Sequence, residues 1–453
     1  MIAVGWAMRD MTPTRPVQLR GQMYRRVARE AIDPLTLTAL ALEGGEPKDC
    51  AMIISCDLVG VSDELQQLVR KQLAPQLPEV PPEKVVMVAT HTHTSLFEGP
   101  SDERENDEMT PAECAALITD RAVEAAVEAW ARRAPHTLGV AFEHAVVGHN
   151  RRAAYADGSS QMYGQTDRKD FVWIEGYEDH SLDVIFTWDA SGKLTGVVLD
   201  IPCPAQVDAD LKVVSADYWH DIRVQLRTRL GDHLQVLPLC GVAGDQSPWP
   251  LIYRRQEEEM RRRRGISERQ EIGIRVADAV MRAVACTRPA TGDIAFAHAV
   301  KHLKLAPREI SRAERDWAEA EYARAIRELD PSSWYPQRLK AVVDSFDRQE
   351  QAERLPVEVH VLRMGDVAVA TNPFELYLDY ALRIKARSPA AQTLAVQLAS
   401  GIGGYLPTAR AVAGGGYGAA PSSTVVGPTG GQELVEATLE MIRSLFPSET
   451  QAP

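Results

Sequence analysis

The sequence predicts an α/β fold of mixed sheets flanked by helices. Three features carry that expectation. Strand-like apolar runs alternate with helically spaced ones through the first third of the chain. The rhythm returns in the middle as hairpin, helix and buried strand. It returns again near the C-terminus around Gly365-Asp366.

In order, Leu35 to Leu42 and Ala51 to Cys56 read as strands, and Asp63 to Leu73 has helical spacing. Val85 to Thr90 is a buried strand that ends on Thr90-His91-Thr92-His93. Thr110 to Arg133 is a long alanine-rich helix closed by Pro135. Leu182 to Trp188 and Leu194 to Ile201 form a hairpin across Asp189-Ala190-Ser191-Gly192-Lys193. A helix over Asp217 to Leu230 and a strand over Leu234 to Leu239 follow. Arg254 to Arg264 is a charged helix. Glu257, Glu258 and Glu259 each stand four residues before Arg261, Arg262 and Arg263, the spacing of ion pairs on a wet face. Ser267-Glu268-Arg269-Gln270 is a capping-box start for the next helix.

Ser311 to Leu329 and Gln337 to Arg348 read as a surface helical pair, so 305–350 is expected to be a lid or dimer arm. Val357 to Arg363 and Val367 to Ala370 form a second hairpin. It delivers Asn372-Pro373-Phe374-Glu375 to a helix start. Gly401 to Gly431 is glycine-rich loop, and a helix from about Glu433 to Leu445 closes the chain. No internal repeat or low-complexity linker divides residues 1–453, which are expected to form one catalytic unit.

Bulk composition narrows the function. The 453 residues are 45% hydrophobic and 25% charged, the balance of a globular chain with an ample core. A net charge of −13 argues against nucleic acid and anionic membranes as partners, since phosphate binding needs a basic footprint. Cys50, Cys56, Cys114, Cys203, Cys240 and Cys286 form no CxxC pair, which suits reduced thiols and a cytoplasmic setting. No signal peptide and no bilayer-length apolar run is visible, so no integral membrane segment is expected.

Four segments carry chemistry. His91 and His93 follow a buried strand, where α/β sheets place their sites. Two imidazoles at alternate positions there share a metal, divide metal and proton duties, or merely bond each other at a sheet edge. Gly244-Asp245-Gln246-Ser247-Pro248 also follows a buried strand. A serine there is a nucleophile or a substrate-positioning hydroxyl, but the run is not GxSxG, and the residues alone favour a turn in which Asp245 and Ser247 bond the local backbone. Glu375 is a carboxylate ligand, a general base, or the third residue of a capped helix start. Tyr405 and Tyr417, set among glycines, cover a pocket or pack down a loop.

In this shared order, the segments resemble the catalytic domain of the neutral (non-lysosomal) ceramidase family, from about Val4 to Phe446. Asp10-Met11-Thr12-Pro13, Ser55-Cys56-Asp57, Thr90-His91-Thr92-His93 and Asn150-Arg151 each match a family element. So do Gly244-Asp245-Gln246-Ser247-Pro248, Glu375, and the pair Tyr405 and Tyr417. The resemblance implies a ceramidase-like fold and a single zinc whose water attacks an amide. It implies that His91, Glu375 and Tyr405 are ligands. His93, Arg151, Ser247 and Tyr417 are implied to line the site, with Tyr417 stabilising the oxyanion.

The chain departs from the family at the second histidine ligand, where Ile201-Pro202-Cys203-Pro204-Ala205-Gln206 places Cys203. A thiolate ligand there, or completion of the site by Asp217 or His220, are the alternatives. The family's C-terminal immunoglobulin-like domain is expected to be missing. The expectation is a zinc-dependent hydrolase of ceramidase-like fold acting on an amide or related acyl bond of a small molecule, a lipid amide or a saccharide, in a chain that is a candidate homo-oligomer. Its rivals are a carbohydrate-active enzyme of the same fold, using His93, Tyr417 and Glu375 as acid and base for hydrolysis or elimination, and a metal-free binding protein.

Overall fold

The computed structural model describes residues 2–99, 107–290, 293–329 and 334–446. Its larger sheet has eight strands, in the order Gln235–Cys240, Leu194–Ile201, Ser181–Asp189, Ala134–His144, Ile2–Asp10, Thr36–Gly44, Asp49–Cys56 and Val85–Ala89. The outermost pair at each edge is parallel and the interior pairs are antiparallel. A smaller sheet of four strands runs Phe296–Leu305, Leu355–Met364, Val367–Thr371 and Gln392–Val396, with the last pair parallel.

The two sheets pack face to face. Leu40, Ile53 and Val88 of one share a buried cluster with Leu362, Val369 and Leu394 of the other. Helices cover both outer faces. Asp63–Leu73 and Pro111–Ala131 bury their apolar sides on one end of the large sheet, and Tyr218–Leu230 and Glu268–Cys286 on the other. Leu378–Arg387 and Pro428–Leu445 cover the small sheet. The result is helix, sheet, sheet, helix, a layered α/β architecture in which the outer sheet faces are covered.

Alternation along the first strand explains the two sides. Ile2, Val4 and Trp6 enter the core between the sheets, while Ala7 faces the long helix. Gly5 lies on that helical side, and a Cβ there would sit 1.9 Å from the carbonyl oxygen of Ala129. Only glycine allows so close an approach.

The helices Asp63–Leu73 and Arg254–Arg264 have the limits their spacing predicts. The capping box at Ser267 is formed, and Thr110 caps its helix with a second one. Two of the three expected ion pairs form, Arg261 with Glu257 and Arg263 with Glu259, whereas Arg262 takes Glu259 at the shorter spacing. The expected surface pair is present as Arg312–Glu328 and Trp334–Arg348, packed around Ala318, Ala325, Leu339 and Val342; residues 330–333 of this arm lie outside the described residues.

Three local expectations fail for identifiable reasons. Pro135 does not merely stop a helix. It opens the strand Ala134–His144, at the end of its ladder with Ile2–Asp10, where a missing N–H is tolerated. Asn372 does not cap a helix. Its side chain accepts the Phe374 N–H, Glu375–Leu376 pairs with Tyr405–Leu406, and the helix begins only at Leu378. A tertiary strand pairing there overrides a local cap signal. The final helix begins at Pro428, earlier than its spacing predicts, because the glycines of its first turn disguise it as loop. Among the described residues no helix is long and apolar enough to cross a membrane.

Candidate active site

The carboxyl ends of five strands point their following loops toward one place. Val85–Ala89 leads to His91 and His93, Leu194–Ile201 to Gln206, and Gln235–Cys240 to Gly244 and Asp245. Val367–Thr371 leads to Glu375, and Gln392–Val396 feeds the loop that ends on Tyr405. Crevices beyond the carboxyl ends of strands are where open α/β sheets hold ligands.

His91 adopts a left-handed backbone conformation, φ 64°. This is costly for a residue with a Cβ and turns the chain sharply after the strand. The turn, rather than strand alternation, brings the two imidazoles together, with ring centroids 4.9 Å apart and planes at 74°. His91 Nδ1 lies 2.6 Å from the carbonyl oxygen of Val59, so Nδ1 carries a proton and donates it. Its Nε2 is thereby turned inward, 3.5 Å from Glu375 Oε2 and 3.4 Å from His93 Nε2.

His93 Nε2 in turn accepts an N–H from Gln206 at 2.8 Å. His93 is held neutral, well below the usual histidine range, by burial first and then by His91, Arg26 and Arg151. The His91 Nε2 lone pair and the Glu375 carboxylate facing one another require a positive charge between them, either a proton on His91 or a cation.

Arg151 organises the opposite wall. Its Nη2 donates to the Gly244 carbonyl at 2.9 Å and to the Tyr405 hydroxyl at 3.3 Å. Its Nη1 donates to the Tyr163 hydroxyl at 2.8 Å and to Gln206 Oε1 at 3.4 Å. Burial opposes its charge, but Tyr163, Tyr405 and Glu375 hold it firmly protonated. Burial alone would raise Glu375; His91, the Tyr405 hydroxyl and Arg151 outweigh it and keep the carboxyl below its ordinary range. Tyr405 is pushed well up by burial and then by Glu375, so it stays a phenol. Tyr417 meets the Tyr405 ring edge-on at 5.4 Å, and its hydroxyl is raised by the same two causes.

Gly244 lets the second wall close. A Cβ there would lie 2.3 Å from the Glu375 carbonyl oxygen, so glycine is required where the two strand-end loops touch. Asp245 locks that contact by accepting the Leu378 N–H at 2.9 Å and an Asn150 N–H at 2.8 Å.

Of the residues expected at the site, His91, His93, Arg151, Glu375, Tyr405 and Tyr417 are brought together. Ser247 is fully buried in a two-residue ladder with His149, and its hydroxyl accepts the Trp249 N–H at 3.2 Å, a turn contact. The Cys203 thiol faces its own Pro204 carbonyl at 3.5 Å and is pushed well up by burial, then by Cys240 and Asp217. Asp217 caps a helix, its carboxylate accepting the Asp208 and Tyr218 N–H groups at 2.7 Å each. Burial, then Asp208, raises it to about 7. His220 lies on the first turn of that helix, its N–H on the Asp217 carbonyl. Among the described residues no group of three or more His, Cys, Asp and Glu side chains is gathered tightly enough to hold a metal by itself.

Gln206 and Tyr163 are the participants the motifs do not reveal. Gln206 stands three residues beyond Cys203 in the same proline-flanked run, and it is this residue that reaches His93. Tyr163 is also left-handed, φ 55°, and projects its hydroxyl onto Arg151. Amides and phenols are too common in loops for either to stand out in sequence.

Two solved structures superpose on the whole chain. One is a ceramidase complexed with C2, at TM-score 0.70 and 15% identity, with 100% of this chain and 77% of that chain covered. The other is neutral ceramidase from Pseudomonas aeruginosa, at TM-score 0.70 and 16% identity, with 100% and 76% covered. The chain has the ceramidase fold. At this identity the likeness establishes the ceramidase architecture alone. No protein-family model and no curated protein matches the chain.

Proposed function

We propose that the chain is a hydrolase of the ceramidase type, cutting an amide or related acyl bond with zinc held by His91, Glu375 and Tyr405. The observation that carries this reading is the His91 Nδ1–H bond to the Val59 carbonyl. It fixes the tautomer whose Nε2 lone pair faces Glu375, and metal-binding histidines are oriented by such a bond from their other ring nitrogen. One imidazole, one carboxylate and one phenol supply three protein ligands, the number that leaves a catalytic zinc an open position. Zinc bound there supplies Lewis-acid polarisation of the scissile carbonyl and a water acidified toward neutrality.

The chain's own groups then divide the remaining work. His93, kept neutral, takes a proton at Nε2 in exchange for the Gln206 N–H. Tyr417 keeps its hydroxyl proton and offers it to the developing oxyanion. Arg151 fixes Tyr405 and balances the Glu375 charge. Cys203 takes no part in this reading, because its thiol faces the Pro204 carbonyl of its own loop.

The test is a panel of N-acyl p-nitroanilides and acyl esters set beside oligosaccharides, with and without a chelator. Hydrolysis of acyl substrates that disappears on chelation and returns with zinc is expected. Cleavage of oligosaccharides alone by zinc-loaded protein would defeat the reading in favour of carbohydrate chemistry.

A further inference from the structure

The helix Trp334–Arg348 borders a hollow of about 660 Å³. Arg338, Ala341, Val342, Ser345 and Arg348 line it, at the three- and four-residue spacing of a single helical face. Ile402, Gly403, Gly404 and Val425 supply another wall. Ile402 and Val425 are 44% and 55% exposed, two apolar side chains left open around one hollow. A volume of this order suits a small molecule, and clustered apolar exposure marks a binding surface.

The charge of the hollow runs against that of the chain. The whole sequence carries −13, yet the lining holds three arginines, Arg308, Arg338 and Arg348, and one acid, Glu353. Arg308 is buried and paired with Glu314, so its charge is answered. Arg338 donates to the Ser422 carbonyl at 2.9 Å. Arg348 donates to the Asp344 carbonyl at 3.0 Å, while the Asp344 carboxylate takes Lys340 at 2.6 Å. A carbonyl satisfies an N–H without cancelling a positive charge, and among the described residues no carboxylate is paired with Arg348. An exposed guanidinium beside an apolar wall suits a ligand with an anionic head and an apolar body.

The hollow lies beside the candidate active site, not in it. None of His91, His93, Arg151, Glu375, Tyr405 and Tyr417 lines it. Its glycine wall is the turn that leads to Tyr405, and the Gly404 carbonyl accepts the Glu375 N–H at 2.9 Å. Arg338 and Arg348 stand at opposite ends of the helical face, about 15 Å apart along the axis, so a compact ligand meets only one of them.

We infer that this hollow binds a small amphipathic anion, a single charged head on a ring-sized apolar body, with Arg348 holding the head and Ile402 and Val425 the body. Binding there is independent of the reaction performed at His91 and Glu375.

Naphthalene-2-sulfonate and naphthalene-2-methanol test it, since they share their rings, differ in charge and resist hydrolysis. Each is titrated calorimetrically into the wild type, Arg348→Glu, Arg348→Lys and Val425→Glu. Lys340→Glu, a charge reversal on the same helix outside the lining, is the control. The sulfonate should bind the wild type at a single site, about tenfold tighter than the alcohol. Arg348→Glu and Val425→Glu should each weaken it about tenfold, and Arg348→Lys should keep it within about threefold. Lys340→Glu should change it by less than about twofold. Unchanged melting temperatures keep a binding defect apart from a folding defect. Equal affinity for the two probes, or sulfonate binding untouched by both Arg348→Glu and Val425→Glu, would overturn the inference. So would a wild type that binds no sulfonate.

Discussion

Among the described residues are two buried histidine pairs, and they differ in how fully their nitrogens are used. His298 and His360 touch through Nε2 and Nδ1 at 3.0 Å. His298 Nδ1 donates to the Cys50 carbonyl at 3.1 Å, and His360 Nε2 meets Glu358 at 2.9 Å, itself fixed by Arg70. Each nitrogen has a protein partner, and the Ser400 hydroxyl, 3.1 Å from His360 Nε2, supplies the donor that this nitrogen needs once His360 Nδ1 donates to His298. His91 and His93 are different. His93 Nδ1 is buried without a partner, and His91 Nε2 faces a carboxylate at 3.5 Å, beyond a normal hydrogen bond. A satisfied pair ties two sheets together. An under-satisfied pair beside a carboxylate is poised to bind something. Burial does not separate these cases; the accounting of donors and acceptors does.

The sharpest way to break this contrast is at Glu375. Glu375→Gln removes the charge that the His91 pair faces, and kcat/KM should fall by roughly 10³-fold or more while bound zinc is lost. Elemental analysis beside kinetics checks it; full activity with unchanged metal would place the chemistry elsewhere. His93→Ala should lower activity by about 10²-fold with the metal and the melting temperature largely kept. Loss of the metal together with activity would make His93 a ligand instead of a proton-handling group.

The other pair should fail in the opposite sense, through stability. His360→Ala leaves His298 Nε2 without its partner and opens a small void, at a cost of about 2–4 kcal/mol in urea unfolding at neutral pH. The folded variant should still turn over substrate. Acid makes a second distinction. Burial, then His360, holds His298 down to about 3, whereas an unfolded histidine titrates near 6.5. Between those values only the unfolded chain takes the extra proton, so stability declines as pH falls from about 6.5 toward 3. His298→Gln should flatten that decline, measured as urea midpoints at pH 7 and pH 5. Equal slopes in the two proteins would remove the pair from the pH response.

The smallest effect is expected at Cys203. Its thiol faces the Pro204 carbonyl of its own loop, so Cys203→Ala should keep zinc at unchanged affinity and lose about 1 kcal/mol of stability. A clear loss of zinc in that variant would return the thiol to the site.

Much of the architecture is legible in the chain because apolar periodicity reports local structure directly. The strand at Val85–Ala89, the helix at Asp63–Leu73 and both hairpins follow from patterns within single segments. The central strand Ala134–His144 is not, because Pro135 at its start is a local stop signal that a tolerant ladder position overrules. The site divides the same way. His91, His93, Glu375 and Tyr405 stand in segments whose residue types already suggest chemistry, whereas Arg151 entered only through the family resemblance.

What the sequence determined by itself is the supply of reactive groups and the strands that carry them, since both depend on residue type and near-neighbour spacing. Tertiary structure alone decided which groups meet. The left-handed turn at His91 sets its Nε2 toward Glu375, far away in the chain. The parallel pairing of Glu375–Leu376 with Tyr405–Leu406 converts an apparent helix start into a site wall. Cys203 turns toward its own backbone while Gln206, three residues on, reaches His93. A loop's path depends on contacts made by distant strands, so no spacing within Ile201–Gln206 specifies which of its side chains arrives.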